Sequence, residues 1–431
     1  MKQIVRILLL LAAFFEVFPA YGLSFEYDGF QFEVISASYV KLVGVEQVKS
    51  GTVTIPSTVT YEGRTLYLKI IDHFTNSQKT KDVTSVIIPN TVEEIGRSAF
   101  RGYDSNNNIR SITIPNSVKR IGGLAFKGCD NLEEVHISDI KSWVNINFEP
   151  DTYAGVVDGD YSWANPLIYA KKLLLNGETV TELNIPEGVE EIPNGCFYGL
   201  VDATSINLPN SLKKIGAEAF RSCNKVKEIR IPDNVSFIGQ GAFDDCEKLE
   251  KVFLGRGISC IQYGAFFKCK SIKQVHVADL KTWCEVDFEK PIFIYQRWFS
   301  GAFYPYIKAN ANPLYYAHDL FINGEKIVDC EIPSGTTVIK QYTFSGCHSI
   351  KRIKIPNTVI RIEPYAFREC VNLEKVYIGS GITEIGFLYK YDDDYNAIEG
   401  NVFEGCVFLE EIHIKKMEPP YIASNTFNKS I

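Results

Sequence analysis

A unit of 23 residues recurs along this chain, and it decides what the chain can fold into. Ile109-Arg-Ser-Ile-Thr-Ile-Pro-Asn-Ser-Val-Lys-Arg-Ile-Gly-Gly-Leu-Ala-Phe-Lys-Gly-Cys129 aligns with Val226-Lys-Glu-Ile-Arg-Ile-Pro-Asp-Asn-Val-Ser-Phe-Ile-Gly-Gln-Gly-Ala-Phe-Asp-Asp-Cys246. Where nothing is inserted, successive units start 23 residues apart, at Ala203, Val226, Leu249 and Ile272, and again at Ile327, Ile350 and Leu373. Further units start near Val83, Ile109, Leu132, Val180 and Leu409, and a degenerate one begins near Thr52, which makes about thirteen. A fixed period of this length describes stacked coils, not separate globules. It therefore overrides the estimate of about three domains that 431 residues would suggest.

Each unit carries its own structural instructions. Ile109, Ile112 and Ile114 have the spacing of a short strand with one face buried. Pro115 has no N–H and ends that strand. Val118 and Ile121 return to the interior, Gly122 permits a tight turn, and Ala125-Phe126 opens an outer segment. One coil cannot bury these side chains alone, but neighbours about 4.8 Å away can. The expected fold is a β-rich leucine-rich-repeat solenoid. It has one short parallel strand per coil and short helical or irregular convex segments. Phe100, Phe126, Phe220, Phe243, Phe266, Phe344, Phe367 and Phe403 are expected to form a column. Cys129, Cys223, Cys246, Cys269, Cys347, Cys370 and Cys406 share another repeat position. They are expected to pack as buried thiols, with Cys196 and Cys330 in neighbouring core positions. The total of 11 cysteines is odd, so full pairing within one chain is excluded.

A larger duplication overlies the small one. His136-Ile-Ser-Asp-Ile-Lys-Ser-Trp143 matches His276-Val-Ala-Asp-Leu-Lys-Thr-Trp283. Asn165-Pro-Leu and Asn176-Gly-Glu match Asn312-Pro-Leu and Asn323-Gly-Glu. Inserts are therefore expected near 138–179 and 278–326, with a third near 387–401. Asn-Gly between apolar runs predicts hairpins that begin with Leu173–Leu175 and Leu320–Ile322. Residues 23–50 lack the repeat, and their Phe25, Tyr27, Phe30 and Phe32 are expected to form a β cap over the first coil. Coils are expected over 51–414 and a partial one over 415–431.

Residues 1–22 have a different character. Lys2 and Arg6 precede the apolar run Ile7 to Phe15, and Ala20-Tyr21-Gly22 places small residues at cleavage positions. This predicts a secretory signal and an exported protein, at the cell surface, outside the cell or in a periplasm. The run is too short for a membrane span, and no transmembrane segment is expected once it is cleaved. The first cysteine is Cys129, so a lipid anchor behind the signal is not expected.

The Ile-Pro-x-x-Val-x-x-Ile-Gly-x-x-Ala-Phe-x-x-Cys unit and the Trp and Asn-Pro-Leu inserts resemble those of BspA-like bacterial leucine-rich-repeat surface proteins. The resemblance covers roughly residues 50–414. It implies an exported protein with a binding or adhesion role, and it supplies no catalytic residues.

The residues themselves also argue against an enzyme. The chain has no zinc-protease, nucleophile-elbow, phosphate-loop or dinucleotide fingerprint. Its six histidines are scattered; His136, His276 and His413 share a strand position in coils that are not adjacent. No metal or cofactor is expected. Asp392-Asp393-Asp394-Tyr395-Asn396 fails the calcium-loop pattern because Ala397 stands where a glycine is needed. A net charge of −7 without a basic run excludes a nucleic-acid footprint.

Two surfaces remain for binding. Side chains between the core positions of each strand face the open side of the sheet. Along that face Arg230, Phe253, His276, Arg352, Lys354, Lys375 and Tyr377 combine aromatics with cations, as recognition surfaces do. The second large insert contains Tyr295, Trp298, Phe299, Phe303, Tyr304 and Tyr306 within 291–306. The leading expectation is a protein ligand held along the solenoid, and the alternative is a glycan held by the aromatic insert.

Overall fold

The computed structural model describes residues 22–75, 78–102, 107–150, 164–289, 294–297, 303–306, 311–391, 397–416, 418–423 and 425–427. The predicted signal and the Asp392 loop lie outside them. Two compact units divide the chain, one through Gly177 and one from Glu178.

In the first unit, Ser24–Tyr27, Phe30–Val34 and Tyr39–Val45 pair antiparallel in sequence. Tyr39–Val45 then pairs parallel with Arg64–Ile71. Phe30 and Phe32 are buried, whereas Tyr27 faces solvent.

From there the coils stack as expected. Ser50–Thr54, Asp82–Ile87, Ser111–Thr113, Glu134–Ile137 and Leu173–Leu175 form one parallel ladder. The structure adds a second strand to each coil, only two residues long. Glu94–Ile95, Arg120–Ile121 and Asn147–Phe148 pair in register as a second ladder. The period hides this strand, because a single buried isoleucine per coil carries no alternation.

The second unit repeats the design. Its first ladder runs in three sheets: Glu182–Asn184 with Ser205–Asn207; Glu228–Ile231, Lys251–Leu254, Gln274–Val277 and Leu320–Ile322; then Asp329–Glu331, Arg352–Ile355, Lys375–Ile378 and Glu411–Ile414. Its second ladder runs from Glu191–Ile192 to Asp287–Phe288, and again from Val338–Ile339 to Tyr421–Ile422. Outer segments of plain coils are turns; the helices belong to the inserts, at Ile140–Val144, Leu167–Ala170, Leu280–Cys284 and Leu314–Ala317.

Glycine sets the spacing where Ile-Gly closes the second strand. A Cβ on Gly239 would lie 2.6 Å from the Ala217 nitrogen of the preceding coil. Only glycine allows that approach.

The phenylalanines stack as three separate runs, one in the first unit and two in the second, where a single column was the expectation. Phe100 and Phe126 stack at 5.4 Å with rings 1° from parallel. Phe220–Phe243 and Phe243–Phe266 stack at 5.4 and 5.3 Å, and Phe344–Phe367 and Phe367–Phe403 at 5.2 and 5.4 Å. Phe74, Phe197 and Phe427 extend the stacks beyond the expected set. Burying each large ring contributes about 1.5–3 kcal/mol. All eleven cysteines are free thiols, and ten are buried; Cys260 is half-buried.

Each insert adds one strand to each ladder, Leu173–Leu175 and Asn147–Phe148 in the first and Leu320–Ile322 and Asp287–Phe288 in the second, and new sheets begin after it. Asp139 and Asp279 cap the short helices by accepting from the Ser142 and Thr282 nitrogens, each at 2.7 Å. Asn312, fully buried, accepts from the Leu314 nitrogen at 2.9 Å and donates to the Tyr342 and Thr343 carbonyls at 2.6 and 3.1 Å. That accounts for the recurring Asn-Pro-Leu. The expected hairpin follows, with Leu320–Ile322 antiparallel to Glu325–Lys326.

Candidate functional site

In-register stacking converts a spacing in sequence into a row in space. Arg230 pairs with Phe253, Phe253 with His276, and His276 with Phe321. Each strand presents one of these side chains on the open face of one sheet.

The row makes continuous contact. The Arg230 guanidinium lies 3.7 Å from the Phe253 ring centroid. Phe253 and His276 stack at 4.2 Å, and His276 and Phe321 at 4.7 Å. Arg230 Nε is 2.7 Å from Glu228 Oε1, which holds the guanidinium flat against the ring. His276 Nε2 donates to Gln274 Oε1 at 3.1 Å. Burial, and then the nearby Lys251 and Arg230 charges, push the His276 pKa below its ordinary value. Both effects favour the neutral imidazole, which joins the stack as an aromatic ring.

Beside this row lies a groove of about 360 Å³. Arg230, Phe253 and His276 line it together with Asp233, Ala278 and the nearly buried Ile231, Leu254 and Val277, and the Asn323-Gly324 turn of the hairpin borders it. Phe321 is not among the residues that the sequence places in this row, although the strand that carries it, Leu320–Ile322, is expected.

Arg352, Lys354, Lys375 and Tyr377 stand in a separate sheet of the same unit. Lys354 pairs with Tyr377 and Tyr377 with His413, whose rings stack at 5.0 Å. The cations here are already matched. Arg352 Nη2 donates to Asp329 Oδ2 at 2.7 Å, and Lys375 Nζ to Glu411 Oε1 at 2.7 Å. Lys354 lies 3.9 Å from Glu331. Hydrogen bonding to Arg352 lowers the Asp329 pKa, and bonds from His413 and Lys375 lower that of Glu411. Exposed pairs like these are worth little individually, and they leave small net charge for a partner.

Of the aromatic insert, Tyr295 lies in Ile294–Arg297, and Phe303, Tyr304 and Tyr306 lie in Phe303–Tyr306. The two strands pair antiparallel, with Gln296 opposite Tyr304. Trp298 and Phe299 fall outside the described residues. Among the described residues, no three histidine, cysteine or acidic side chains are placed to hold a metal. No described helix is long and apolar enough to cross a membrane.

No curated protein matches the chain. Among solved structures, it is similar to a leucine rich cell surface protein of Faecalibacterium prausnitzii A2-165, at 20% identity over 91% of this chain and 95% of that one, with a TM-score of 0.43. It is also similar to a leucine-rich repeat protein of Bacteroides ovatus ATCC 8483, at 19% identity over 90% and 94% and a TM-score of 0.44. The profile of the BspA type leucine rich repeat region matches in six copies, over residues 69–150, 171–295, 285–389 and 315–431. These spans take in most of the chain, which belongs to the BspA-type leucine-rich-repeat family.

Proposed function

We propose that this is an exported, non-enzymatic binding protein that takes a protein ligand on the strand face of its second unit, with residues 23–50 covering the first coil. The row Arg230–Phe253–His276–Phe321 carries the reading. Sugar recognition by aromatics needs a free ring face. Here the faces of Phe253 and His276 are taken up by their neighbours, and the rings offer edges. Ring edges are electropositive and suit backbone carbonyls, carboxylates and apolar side chains. A guanidinium beside stacked rings that line a groove is the composition of a protein hot spot. The matched cations around Tyr377 extend that surface without imposing a strong field.

The test is capture of immobilised extracellular proteins and glycans by the wild-type chain, by Phe253→Ala with Phe321→Ala, and by a chain lacking 291–306. The proposal expects protein capture that falls with the double substitution and survives the deletion. Glycan capture abolished by the deletion alone would overturn it in favour of the aromatic insert.

A further inference from the structure

The last strand of the first ladder has an unusual edge. Among the described residues, Glu411–Ile414 has one ladder neighbour, Lys375–Ile378. Ile412 and Ile414 are in consequence only half-buried, whereas Val376 and Ile378, one coil earlier, are 0% and 2% exposed. Tyr421–Ile422, in the second ladder of that coil, likewise has one neighbour, and Tyr421 is 75% exposed. Val407 and Phe408, in the same coil, are each 60% exposed. An open strand edge flanked by apolar surface is a template for pairing with another strand.

The sequence of this edge specifies which strand. It reads Glu410-Glu411-Ile412-His413-Ile414-Lys415-Lys416. In an antiparallel copy centred on His413, Glu410 faces Lys416, Glu411 faces Lys415, and Ile412 faces Ile414. The strand is complementary to itself in charge and in apolar character. The coils before it do not share this order: Pro356 and Gly379 stand where Lys415 does. Lysine on an edge strand ordinarily blunts it. Here two glutamates at the opposite end supply the counter-charges in antiparallel order, so the lysines select a partner instead of repelling all partners. Existing bonds leave capacity for this. Glu411 accepts from Lys375 at 2.7 Å and from His413 at 2.8 Å, and Lys416 donates to the Ile382 carbonyl at 2.7 Å. A carboxylate has about four acceptor sites and an ammonium three donors, while Glu410 and Lys415 are exposed.

We propose that this edge is a self-association surface, on which two copies pair residues 410–416 antiparallel about a two-fold axis at His413. A two-fold interface requires a self-complementary patch, and antiparallel cross-strand ion pairs supply it. The surface lies apart from the Arg230 row, so pairing leaves that row open and presents it twice.

Sedimentation velocity on the exported chain, from about 1 to about 100 μM, measures the association. The wild type is expected to form a concentration-dependent dimer that weakens with salt. Glu410→Lys with Glu411→Lys, and separately Lys415→Glu with Lys416→Glu, place like charges across the axis and should weaken it at least about tenfold. An equimolar mixture of these two variants should dimerise again, and so should the chain carrying all four changes. Circular dichroism melts establish that each variant is folded. A wild type that stays monomeric throughout, reversals that associate as the wild type does, or a mixture that fails to recombine would each overturn the proposal.

Discussion

Cys246 donates its thiol hydrogen to the carbonyl oxygen of Phe220, one coil earlier, at 3.2 Å. The same bond recurs from Cys129 to Phe100, Cys269 to Phe243, Cys370 to Phe344 and Cys406 to Phe367, at 3.0 to 3.1 Å. At these positions the thiol column thus does more than fill space, because it bonds a carbonyl on the outer wall of the neighbouring coil; Cys347 instead pairs with Ser349 Oγ at 3.4 Å.

That bond leads to the first prediction. Burial, then the Asp130 charge, push the Cys129 thiol up to about 12 from an ordinary 9.0. The nucleophilic thiolate is scarce in the folded chain. A thiol-reactive chromogenic disulfide should label Cys260 first and the ten buried thiols only on unfolding. Rapid labelling of the native chain at several sites would contradict the packing. The folded state keeps the Cys129 proton where the unfolded chain loses it, so stability should fall as pH rises above about 9.

Phe243 sits between two stacked rings and is 2% exposed. Phe243→Ala should cost about 3–5 kcal/mol in denaturant-induced unfolding. Phe427→Ala, at a ring that is 37% exposed with one stacked neighbour, should cost clearly less.

Two carboxylates give opposite pH dependences. Asp244 is raised to about 6 because its burial outweighs the nearby Arg221 and Lys268. A folded-state pKa above the unfolded 3.8 means that the folded chain holds the extra proton, so this group's contribution falls as pH rises from about 4 to about 6. Asp244→Asn should flatten that window. Glu93 is lowered to about 2 by hydrogen bonds from Lys119 and Lys69. Its contribution is complete above 4.5 and is lost as pH falls through about 2, which Glu93→Gln should remove. Thermal melts across pH measure both.

At the proposed ligand face, Phe321→Ala should weaken binding by about tenfold or more, as truncation of a central aromatic anchor does. Arg352→Ala should change it little, because Asp329 already holds that guanidinium. Titration calorimetry against the captured protein would separate the two.

The first ladder, the phenylalanine stacks and the inserts were legible because each leaves a periodic mark in the sequence. Arg230, Phe253 and His276 could be placed in one row because uninterrupted coils keep constant offsets. Phe321 could not, since its strand returns to the row only after the aromatic insert, and a count of residues loses the register there. The neutralisation of Arg352 and Lys375 was hidden for another reason. Their partners, Asp329 and Glu411, hold the same strand position in neighbouring coils, and a shared position does not by itself show that the side chains bond.

In all three inserts a long stretch of sequence starts at the same point of its coil. Residues 149–163 follow Asn147–Phe148, residues 289–310 follow Asp287–Phe288, and the Phe387–Tyr391 hairpin follows Glu384–Ile385. Each leaves just after the two-residue strand of its coil. This corner is a natural grafting port: around the Phe387–Tyr391 hairpin both ladders run on, from Lys375–Ile378 to Glu411–Ile414 and from Glu384–Ile385 to Tyr421–Ile422.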